Sequence, residues 1–313
     1  MSRFADGTMR ESASGLPNAS LRALLAGALD YAGLFPPAGL SMNESVRSYA
    51  AYASGPHSWL LGRFVVAGAR LAEFAGAADA SMPVASRPWR VSVLLSADAE
   101  AEIATVAAFN ASHRGAVCDT VECKASTVDD IARVARVAPA IAAGEVASYV
   151  EIPAAGDPAG LLAALAARGL RAKIRTGGTT PDAFPSAAEV SRFLAACIRA
   201  RLPFKATAGL HHALRGEYRL TYEPGSPAGP MYGFLNLLLA TALLRDGGSE
   251  QDAEALLLER DAAALQFGDD GARWRDRLFL TARLSQLRQR AAVSFGSCSF
   301  AEPVDELSAL GLL

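Results

Sequence analysis

Residues 171–208, RAKIRTGGTTPDAFPSAAEVSRFLAACIRARLPFKATA, contain one complete strand–helix–strand unit and lead to the fold of the whole chain. The short runs 171–175 and 203–208 alternate apolar with other residues, which is typical of β-strands. A helix is predicted between them, because apolar residues recur at the i, i+3, i+4, i+7 and i+8 positions of one helical face. Those residues are Val190, Phe193, Leu194, Cys197 and Ile198. The unit therefore predicts two parallel strands joined by a helix that packs on the sheet.

The same alternation of strand and helix runs from one end of the chain to the other. Strands are predicted at 30–35, 63–67, 90–95, 118–123, 147–152, 171–175, 203–208 and 291–296. Capping boxes mark helix starts after the first, sixth and eighth of them, at Ser41–Glu44, Ser186–Glu189 and Ser299–Glu302. Strict alternation implies parallel strands with right-handed crossovers, and eight such units predict an α/β fold, a closed (β/α)8 TIM-type barrel. The first strand is not followed by the G-x-G-x-x-G of an open dinucleotide-binding sheet.

We expect the barrel to occupy residues 1–313 as one domain. The longest irregular region is 209–290, which contains the Gly- and Pro-rich loop YEPGSPAGP at 222–230 and two or three predicted helices. We interpret it as an expanded helical β7–α7 connection that belongs to the same domain and is a candidate lid.

The composition restricts the partners of the protein. A net charge of −2 over 313 residues argues against nucleic acid or an anionic membrane as the main partner. The N-terminal segment MSRFADGTMRESASG lacks the apolar core of a signal peptide, and the longest apolar run, 233–244, is about half a bilayer span. The four cysteines form no C-x-x-C pair, so neither a zinc ribbon nor a disulfide framework is expected. We expect a soluble, cytoplasmic protein, and assembly into a homo-oligomer is left open.

The period-two register of the strands places charged side chains inside the predicted barrel. Alternate residues of a strand face opposite sides, and the side that meets the helices should be apolar. On the fourth to seventh strands, this rule assigns the inward positions to Thr120, Glu122, Lys124, Tyr149, Glu151, Lys173, Arg175, Lys205 and Thr207. Four cations and two anions then lie near the carboxyl ends of the strands, where such barrels have their active sites. The surplus of two positive charges suits an anionic substrate, and the alternative is an ion-paired polar layer that fills the barrel.

Lys173 and Lys205 are candidate amine nucleophiles. A lysine that is desolvated and close to a second cation has a lowered pKa and can form a Schiff base with a carbonyl compound. Glu122, Glu151 and Asp30 are the candidate general acids or bases for such an adduct.

The two lysine-bearing strands carry a resemblance to a known family. A lysine on the sixth strand followed by FKATAG on the seventh resembles class I aldolases of the deoxyribose-phosphate type. The resemblance implies that Lys173 forms the imine and that Lys205 perturbs it. The sequence departs from that family after the seventh-strand lysine, where it reads TAGLHH in place of a glycine pair. The chain as a whole also resembles an uncharacterised bacterial (β/α)8-barrel family.

Two loops at the strand ends are candidate anion sites. The segment RTGGTT at 175–180 follows the sixth strand, and GSCS at 296–299 follows the eighth. Both provide backbone N–H groups and hydroxyls of the kind that bind phosphate or carboxylate, although ordinary turns with helix caps are the alternative. The candidate substrate- or anion-binding residues are Arg175, Thr176, Gly177, Gly178, Lys124, Ser297, Cys298 and His212. Cys298 is also considered as a nucleophile, but the sequence identifies no base beside it.

A metal site is the alternative to lysine chemistry. His211 could join Glu122 and Glu151 around one ion, which would support lyase or hydrolase chemistry by Lewis-acid action. No H-x-H or H-E-x-x-H motif supports such a site, so no cofactor is assigned and a divalent metal is left open. Without a metal, His211 is a candidate general acid or base, or both loop histidines have no role.

The sequence as a whole predicts an enzyme that acts on a small anionic carbonyl compound, by aldolase-like lyase or isomerase chemistry. The candidate catalytic residues are Lys205, Lys173, Glu122, Glu151, His211 and Asp30. The alternatives are the metal-dependent lyase or hydrolase and a non-catalytic barrel that binds a metabolite or a partner.

Overall fold

Eight parallel strands close into a barrel in the computed structural model, which describes residues 17–81, 88–96, 99–137 and 146–313. Strands and helices of these residues are numbered β1 to β13 and α1 to α11 in chain order. The barrel strands are β1 (Leu29–Tyr31), β2 (Leu61–Ala67), β3 (Trp89–Leu94), β4 (Ala116–Lys124), β5 (Ala147–Glu151), β6 (Arg171–Arg175), β7 (Phe204–Thr207) and β13 (Ala292–Ser297). Their order around the barrel is their order in the chain, with β13 between β7 and β1. All eight predicted strands and the (β/α)8 fold are thereby confirmed.

The helices connect successive barrel strands. Their bounds are α1 Ala19–Leu25, α2 Met42–Ser54, α3 Leu71–Asp79, α4 Ala99–Ser112, α5 Val128–Val137, α6 Ala159–Ala166, α7 Ala187–Ala200, α8 Phe234–Arg245, α9 Glu250–Leu257, α10 Thr281–Arg290 and α11 Ala301–Ala309. Helices α2 to α7 each link two consecutive barrel strands, α8 to α10 lie between β7 and β13, and α11 follows β13. The N-terminal segment MSRFADGTMRESASG lies outside the described residues.

Two of the three predicted capping boxes are present in full. The Ser41 and Ser186 hydroxyls accept from the backbone N–H groups of Glu44 and Glu189, whose carboxylates accept in return from the serine N–H groups. The third is incomplete. The Ser299 hydroxyl accepts from the Glu302 N–H at 3.1 Å, but the Glu302 carboxylate contacts His211 and Tyr222 instead. The Glu302 side chain, which the sequence assigns to a helix cap, therefore interacts with His211 and Tyr222 and not with the Ser299 N–H.

The connection between β7 and β13 contains more than the predicted helices. It begins with the antiparallel hairpin of β8 (Gly216–Arg219) and β9 (Ala228–Met231). Helices α8 and α9 follow, and then a three-stranded antiparallel sheet of β10 (Leu265–Phe267), β11 (Gly271–Trp274) and β12 (Arg277–Leu280). These five strands were not predicted, because their short runs lack a clear period-two pattern.

The most apolar run of the chain forms helix α8, in which every residue from Phe234 to Leu244 is buried. The helix has 12 residues and packs among α7, α9, α10 and β13. Its one amide side chain, Asn236, donates to the carbonyls of Leu256 and Glu259, each at 2.8 Å. Within the described residues, no helix is long and apolar enough to cross a membrane.

The register of the barrel strands places alternate side chains as the period-two rule requires. Val121 and Cys123 of β4 line a small apolar space together with Ile103 of α4 and Val134 of α5, so they face the helices. Glu122 between them is buried on the opposite side. This alternation brings the charged side chains of neighbouring strands together inside the barrel.

Candidate active site

A cavity of about 250 Å³ lies at the carboxyl ends of the barrel strands. Charged side chains form part of its lining: Asp30, Glu122, Lys173, Arg175, Lys205 and His211. Apolar side chains form another part: Phe35, Pro36, Pro37, Val65, Leu94, Leu220 and Met231. Leu220 and Met231 come from the long connection, in and beside the β8–β9 hairpin, so this hairpin contributes one wall. A small cavity with few charged groups and apolar walls is the usual form of a small-molecule site.

Two lysines share one carboxylate at the base of the cavity. Lys173 of β6 and Lys205 of β7 are register partners on adjacent parallel strands. The Lys173 Nζ lies 2.8 Å from Glu122 Oε2, and the Lys205 Nζ lies 2.5 Å from Glu122 Oε1. All three side chains are almost completely buried.

A second carboxylate holds Lys205 from the opposite side of its amine. Asp30 Oδ2 lies 2.7 Å from the Lys205 Nζ and accepts a hydrogen bond from the Ser294 hydroxyl at 2.7 Å. Asp30 Oδ1 accepts from the Arg63 backbone N–H at 2.8 Å. Gly62 makes room for this carboxylate, because a Cβ at that position would lie 2.4 Å from Asp30 Oδ1.

The remaining neighbours of Lys205 complete its enclosure. The Ser92 hydroxyl donates to Glu122 Oε1 at 2.6 Å, and the Tyr149 ring centroid lies 5.4 Å from the Lys205 Nζ. Arg63 extends the network away from the cavity, since its guanidinium pairs with Asp119 at 2.6 Å. The Lys205 amine therefore lies between two carboxylates and an aromatic face.

Lys173 has a second carboxylate of its own, that of Glu151. Their contact distance is 3.0 Å, and the Glu151 side chain is 11% exposed. Lys124 lies 3.6 Å from the same carboxylate but is 75% exposed, and it faces an adjoining groove instead of the cavity. Lys173 is thus the lysine nearer to solvent, with 6% of its side chain exposed against 1% for Lys205.

The carboxylates reverse the direction expected for the lysine pKa values. Burial by itself would lower the pKa of Lys205, but the charges of Asp30 and Glu122 outweigh it and raise that pKa. Burial likewise opposes the charged form of Lys173, and Glu122 and Glu151 raise its pKa above the usual range. For Glu122, burial would raise the pKa, but the two lysines hold it far below its ordinary value. The expectation of a lowered lysine pKa is wrong, because the neighbouring carboxylates favour the charged form of both lysines.

The expected surplus of positive charge is also absent from the barrel interior. Asp30 adds a third anion to Glu122 and Glu151, and Lys124 points to solvent. In the ion-paired network around the two lysines, the buried cations Lys173, Lys205 and Arg63 face the carboxylates of Asp30, Glu122, Glu151 and Asp119. Any preference for an anionic ligand must come from the rim of the cavity, where Arg175 is exposed and lines the opening.

The loop after β6 contributes fewer ligand-facing groups than its sequence suggests. Gly178 and Thr179 line the cavity beside Arg175. The buried Thr176 hydroxyl donates to the Ala208 carbonyl at 2.7 Å, and Thr176 does not line the cavity. Gly177 lies against Gly209 of the loop after β7, since a Cβ at Gly177 would lie 3.0 Å from the Gly209 Cα. Thr176 and Gly177 therefore connect the loop after β6 to the loop after β7 and do not face the cavity.

Four candidate residues lie at the ends of β7 and β13, and three of them line the cavity. His211, Ser297 and Cys298 line the cavity. His211 Nδ1 lies 3.2 Å from Glu302 Oε2 and 3.2 Å from the Ser297 hydroxyl. His212 points elsewhere, where it contacts the Glu306 carboxylate and stacks on the Tyr218 ring at 3.4 Å.

Contacts with Cys298 and Glu302 shift the pKa of His211. Burial would lower the pKa of His211, but contacts with Cys298 and Glu302 outweigh it and raise that pKa to about 9. His211 and Glu122 line the same cavity, but they do not form a metal-binding group with Glu151. Across residues 17–81, 88–96, 99–137 and 146–313, no three His, Cys, Asp or Glu side chains form a group that could hold a metal ion.

Several residues of the site were missed by the sequence reasoning. Ser92, Ser294 and Arg63 lie on barrel strands outside the four whose register was assigned, and they contact Glu122 or Asp30. The period-two rule applied to β3 and β13 would have found the serines, because each polar residue interrupts an apolar strand. No local signal identifies Glu302 or Tyr222, which reach the site from a helix and from the long connection.

The chain matches no protein-family model, and no curated protein matches it. These comparisons add no support to the aldolase resemblance.

Proposed function

We propose that the protein is an enzyme that acts on a small anionic carbonyl compound through an imine at Lys173, in a lyase or isomerase reaction. The observation that supports this most is the arrangement of Lys173 and Lys205, which share the Glu122 carboxylate at the base of the cavity. A layer that served only to fill the barrel would not need an adjoining cavity lined by the same charged groups.

Lys173 is the better nucleophile of the two lysines. Lys205 is fully buried between Asp30 and Glu122 and lies over the Tyr149 ring. Lys173 is closer to solvent, and its second partner, Glu151, is itself partly exposed. In the proposed reaction Lys205 stays protonated and balances the charge of Glu122 throughout.

The amine of Lys173 must lose a proton before it can attack. Glu151 lies 3.0 Å from that amine and is the proposed acceptor of the proton. The nitrogen then adds to the carbonyl carbon, and loss of water from the resulting carbinolamine gives the imine. The protonated imine accepts an electron pair when an adjacent C–C or C–H bond breaks, and Glu151 or Glu122 moves the protons that these steps require.

The anionic group of the substrate is assigned to the rim. Arg175 lines the opening beside Gly178 and Thr179 and offers a planar guanidinium that can bind a carboxylate or phosphate through two hydrogen bonds. A cavity of about 250 Å³ limits the substrate to a small molecule.

Borohydride trapping tests the imine directly. The protein is incubated with a panel of small 2-oxoacids, hydroxyaldehydes and their phosphates, reduced with borohydride, and examined by intact mass and peptide mapping. We expect an adduct on Lys173 with at least one compound. Absence of any adduct across the panel would refute the imine mechanism.

Two variants make the assignment specific. Lys173→Arg keeps a positive charge between Glu122 and Glu151 but removes the nucleophilic amine, so it should fold and give no adduct. Lys124→Arg is the matched control, because Lys124 contacts the same Glu151 but is exposed outside the cavity. An adduct that persists in Lys173→Arg would show that another lysine reacts.

A further inference from the structure

A thiol, an imidazole and a carboxylate meet in the wall of the cavity. Cys298 follows the last residue of β13, and its Sγ lies 3.7 Å from Nδ1 and 3.9 Å from Nε2 of His211. His211 Nδ1 lies 3.2 Å from Glu302 Oε2. The Tyr222 hydroxyl donates to the same carboxylate oxygen at 3.0 Å and lies 3.7 Å from the Cys298 Sγ. Cys298 and His211 both line the cavity.

We infer that Cys298 is a second nucleophile of this cavity, with His211 as its proton acceptor and Glu302 as the residue that orients the imidazole, and that its sulfur adds to the carbonyl carbon of a small aldehyde. The inference does not depend on an imine at Lys173, because the cysteine cluster has its own acid–base partner. The cluster lies on the loop after β13, the long connection and α11, whereas the two lysines lie on β6 and β7.

The contact geometry favours a thiolate–imidazolium pair. The nearly equal distances from Sγ to the two ring nitrogens mean that the thiol lies beside the ring and not along one nitrogen's lone pair. Two opposite charges less than 4 Å apart in a buried site attract each other strongly whatever the angle. Glu302 places a negative charge beside Nδ1 of the same imidazole and stabilises its protonated form. A Cys–His pair with a third orienting group is the arrangement that activates a thiol.

The other three cysteines are expected to be unreactive thiols. Cys118, Cys123 and Cys197 are buried among apolar residues. Burial raises the pKa of Cys118 and Cys123 to about 12, and it raises that of Cys197 further. They provide internal controls, because the same reagent meets all four thiols in one experiment.

The proposed step is a reversible addition. In the proposed pair the thiol proton already lies on His211, and the thiolate sulfur forms a bond to the carbonyl carbon. The π electron pair of the carbonyl moves to its oxygen, which takes the proton from the imidazolium. The product is a neutral thiohemiacetal beside a neutral imidazole, and the reverse sequence restores the thiolate–imidazolium pair and the aldehyde.

Alkylation with iodoacetamide between pH 5 and 9, read by intact mass and peptide mapping, tests the activation. We expect one alkylation, at Cys298, with a rate at pH 7 that is roughly tenfold higher than in His211→Gln. His212→Gln is the matched control, since His212 does not contact the thiol, and it should react like the wild type. Equal rates in wild type and His211→Gln, or no modification of Cys298, would overturn the inference.

The pH dependence of the alkylation rate tests whether the Glu302 charge acts on His211 or whether Glu302 only supports the fold. The titratable groups that face the thiol are His211, Tyr222, Tyr31 and, through His211, Glu302. Loss of the Glu302 charge destabilises the imidazolium, so Glu302→Gln should move the alkylation midpoint to higher pH. An unchanged midpoint in a folded Glu302→Gln protein would remove Glu302 from the cluster.

Glyoxylate labelled with ¹³C at the aldehyde carbon tests the covalent step. We expect a protein-bound tetrahedral-carbon resonance that Cys298→Ser abolishes and Lys173→Arg retains. A trigonal imine carbon that Lys173→Arg abolishes would instead report the lysine chemistry, so the two proposals fail independently. If no resonance depends on Cys298, the thiol does not add to this aldehyde and the inferred step is wrong.

Discussion

Lys173 and Lys205 are register partners on β6 and β7, and their amines contact opposite oxygens of the same carboxylate. Two like charges are held side by side in the barrel only because Glu122 lies between them and because Asp30 and Glu151 flank the pair. This relationship makes the site sensitive to any change in its carboxylates.

Glu122→Gln should strongly destabilise the protein. The substitution is isosteric, but it leaves two buried ammonium groups without their shared counter-charge, at a cost of roughly 3 to 5 kcal/mol in the free energy of unfolding. Urea denaturation measures this loss. Glu250→Gln is the control, because the exposed pair of Arg199 and Glu250 should contribute no more than about 1 kcal/mol. A loss below about 1 kcal/mol for Glu122→Gln would contradict the proposed interdependence.

Gly62→Ala should disrupt the position of Asp30. The new Cβ would lie 2.4 Å from Asp30 Oδ1 and 2.9 Å from the Leu29 carbonyl oxygen, so either the carboxylate or β1 must move. We expect a loss of roughly 2 kcal/mol or more, of the size seen for overpacked cores. Gly160→Ala in α6 is the control: its Cβ meets nothing within 4 Å, and it should stabilise the helix by about 0.5 to 1 kcal/mol. Thermal or urea unfolding of both variants decides the comparison.

His211 should make stability depend on pH in the alkaline range. Its pKa is raised to about 9 in the folded protein from about 6.5 in the unfolded chain. The folded state therefore binds the proton more tightly, and the resulting stabilisation is fully present below about pH 6.5 and is lost as the pH rises through 9. We expect the stability difference between wild type and His211→Gln to shrink by roughly 1 to 3 kcal/mol over this window. A constant difference between pH 6 and 10 would show that His211 is not held in its charged form.

Thr207 offers a test of ligand binding in the cavity. Thr207 lines the cavity. Its Oγ1 is buried and has no hydrogen-bond partner among the residues that the structure describes. Thr207→Val removes no hydrogen bond within those residues, so stability should change by less than about 0.5 kcal/mol. If the hydroxyl binds substrate, kcat/KM should fall on the order of tenfold. Thr105→Val on the exposed face of α4 is the control and should leave turnover unchanged.

The period of the side chains along a strand explains how much of the site could be predicted. Glu122, Lys173 and Lys205 each stand between apolar neighbours, so their inward direction follows from the sequence alone. The period-two alternation shows which side of the sheet a residue faces, but it does not show how far along the barrel axis the residue lies. Lys124 is two positions after Glu122 and therefore belongs to the same side of β4. It is the last residue of the strand, however, and its amine reaches solvent.

The sequence by itself determined the eight strands, the helix starts at Ser41 and Ser186, and the side of the sheet that each central charge faces. These features depend on residues a few positions apart, whose spacing is visible in the chain. Only the tertiary structure decided which charges pair, that the lysine pKa values rise, and that His211 lies beside Cys298. Those outcomes depend on contacts such as His211 with Cys298, 87 positions apart. Closure of the barrel creates such contacts, because it brings the ends of all eight strands around one axis.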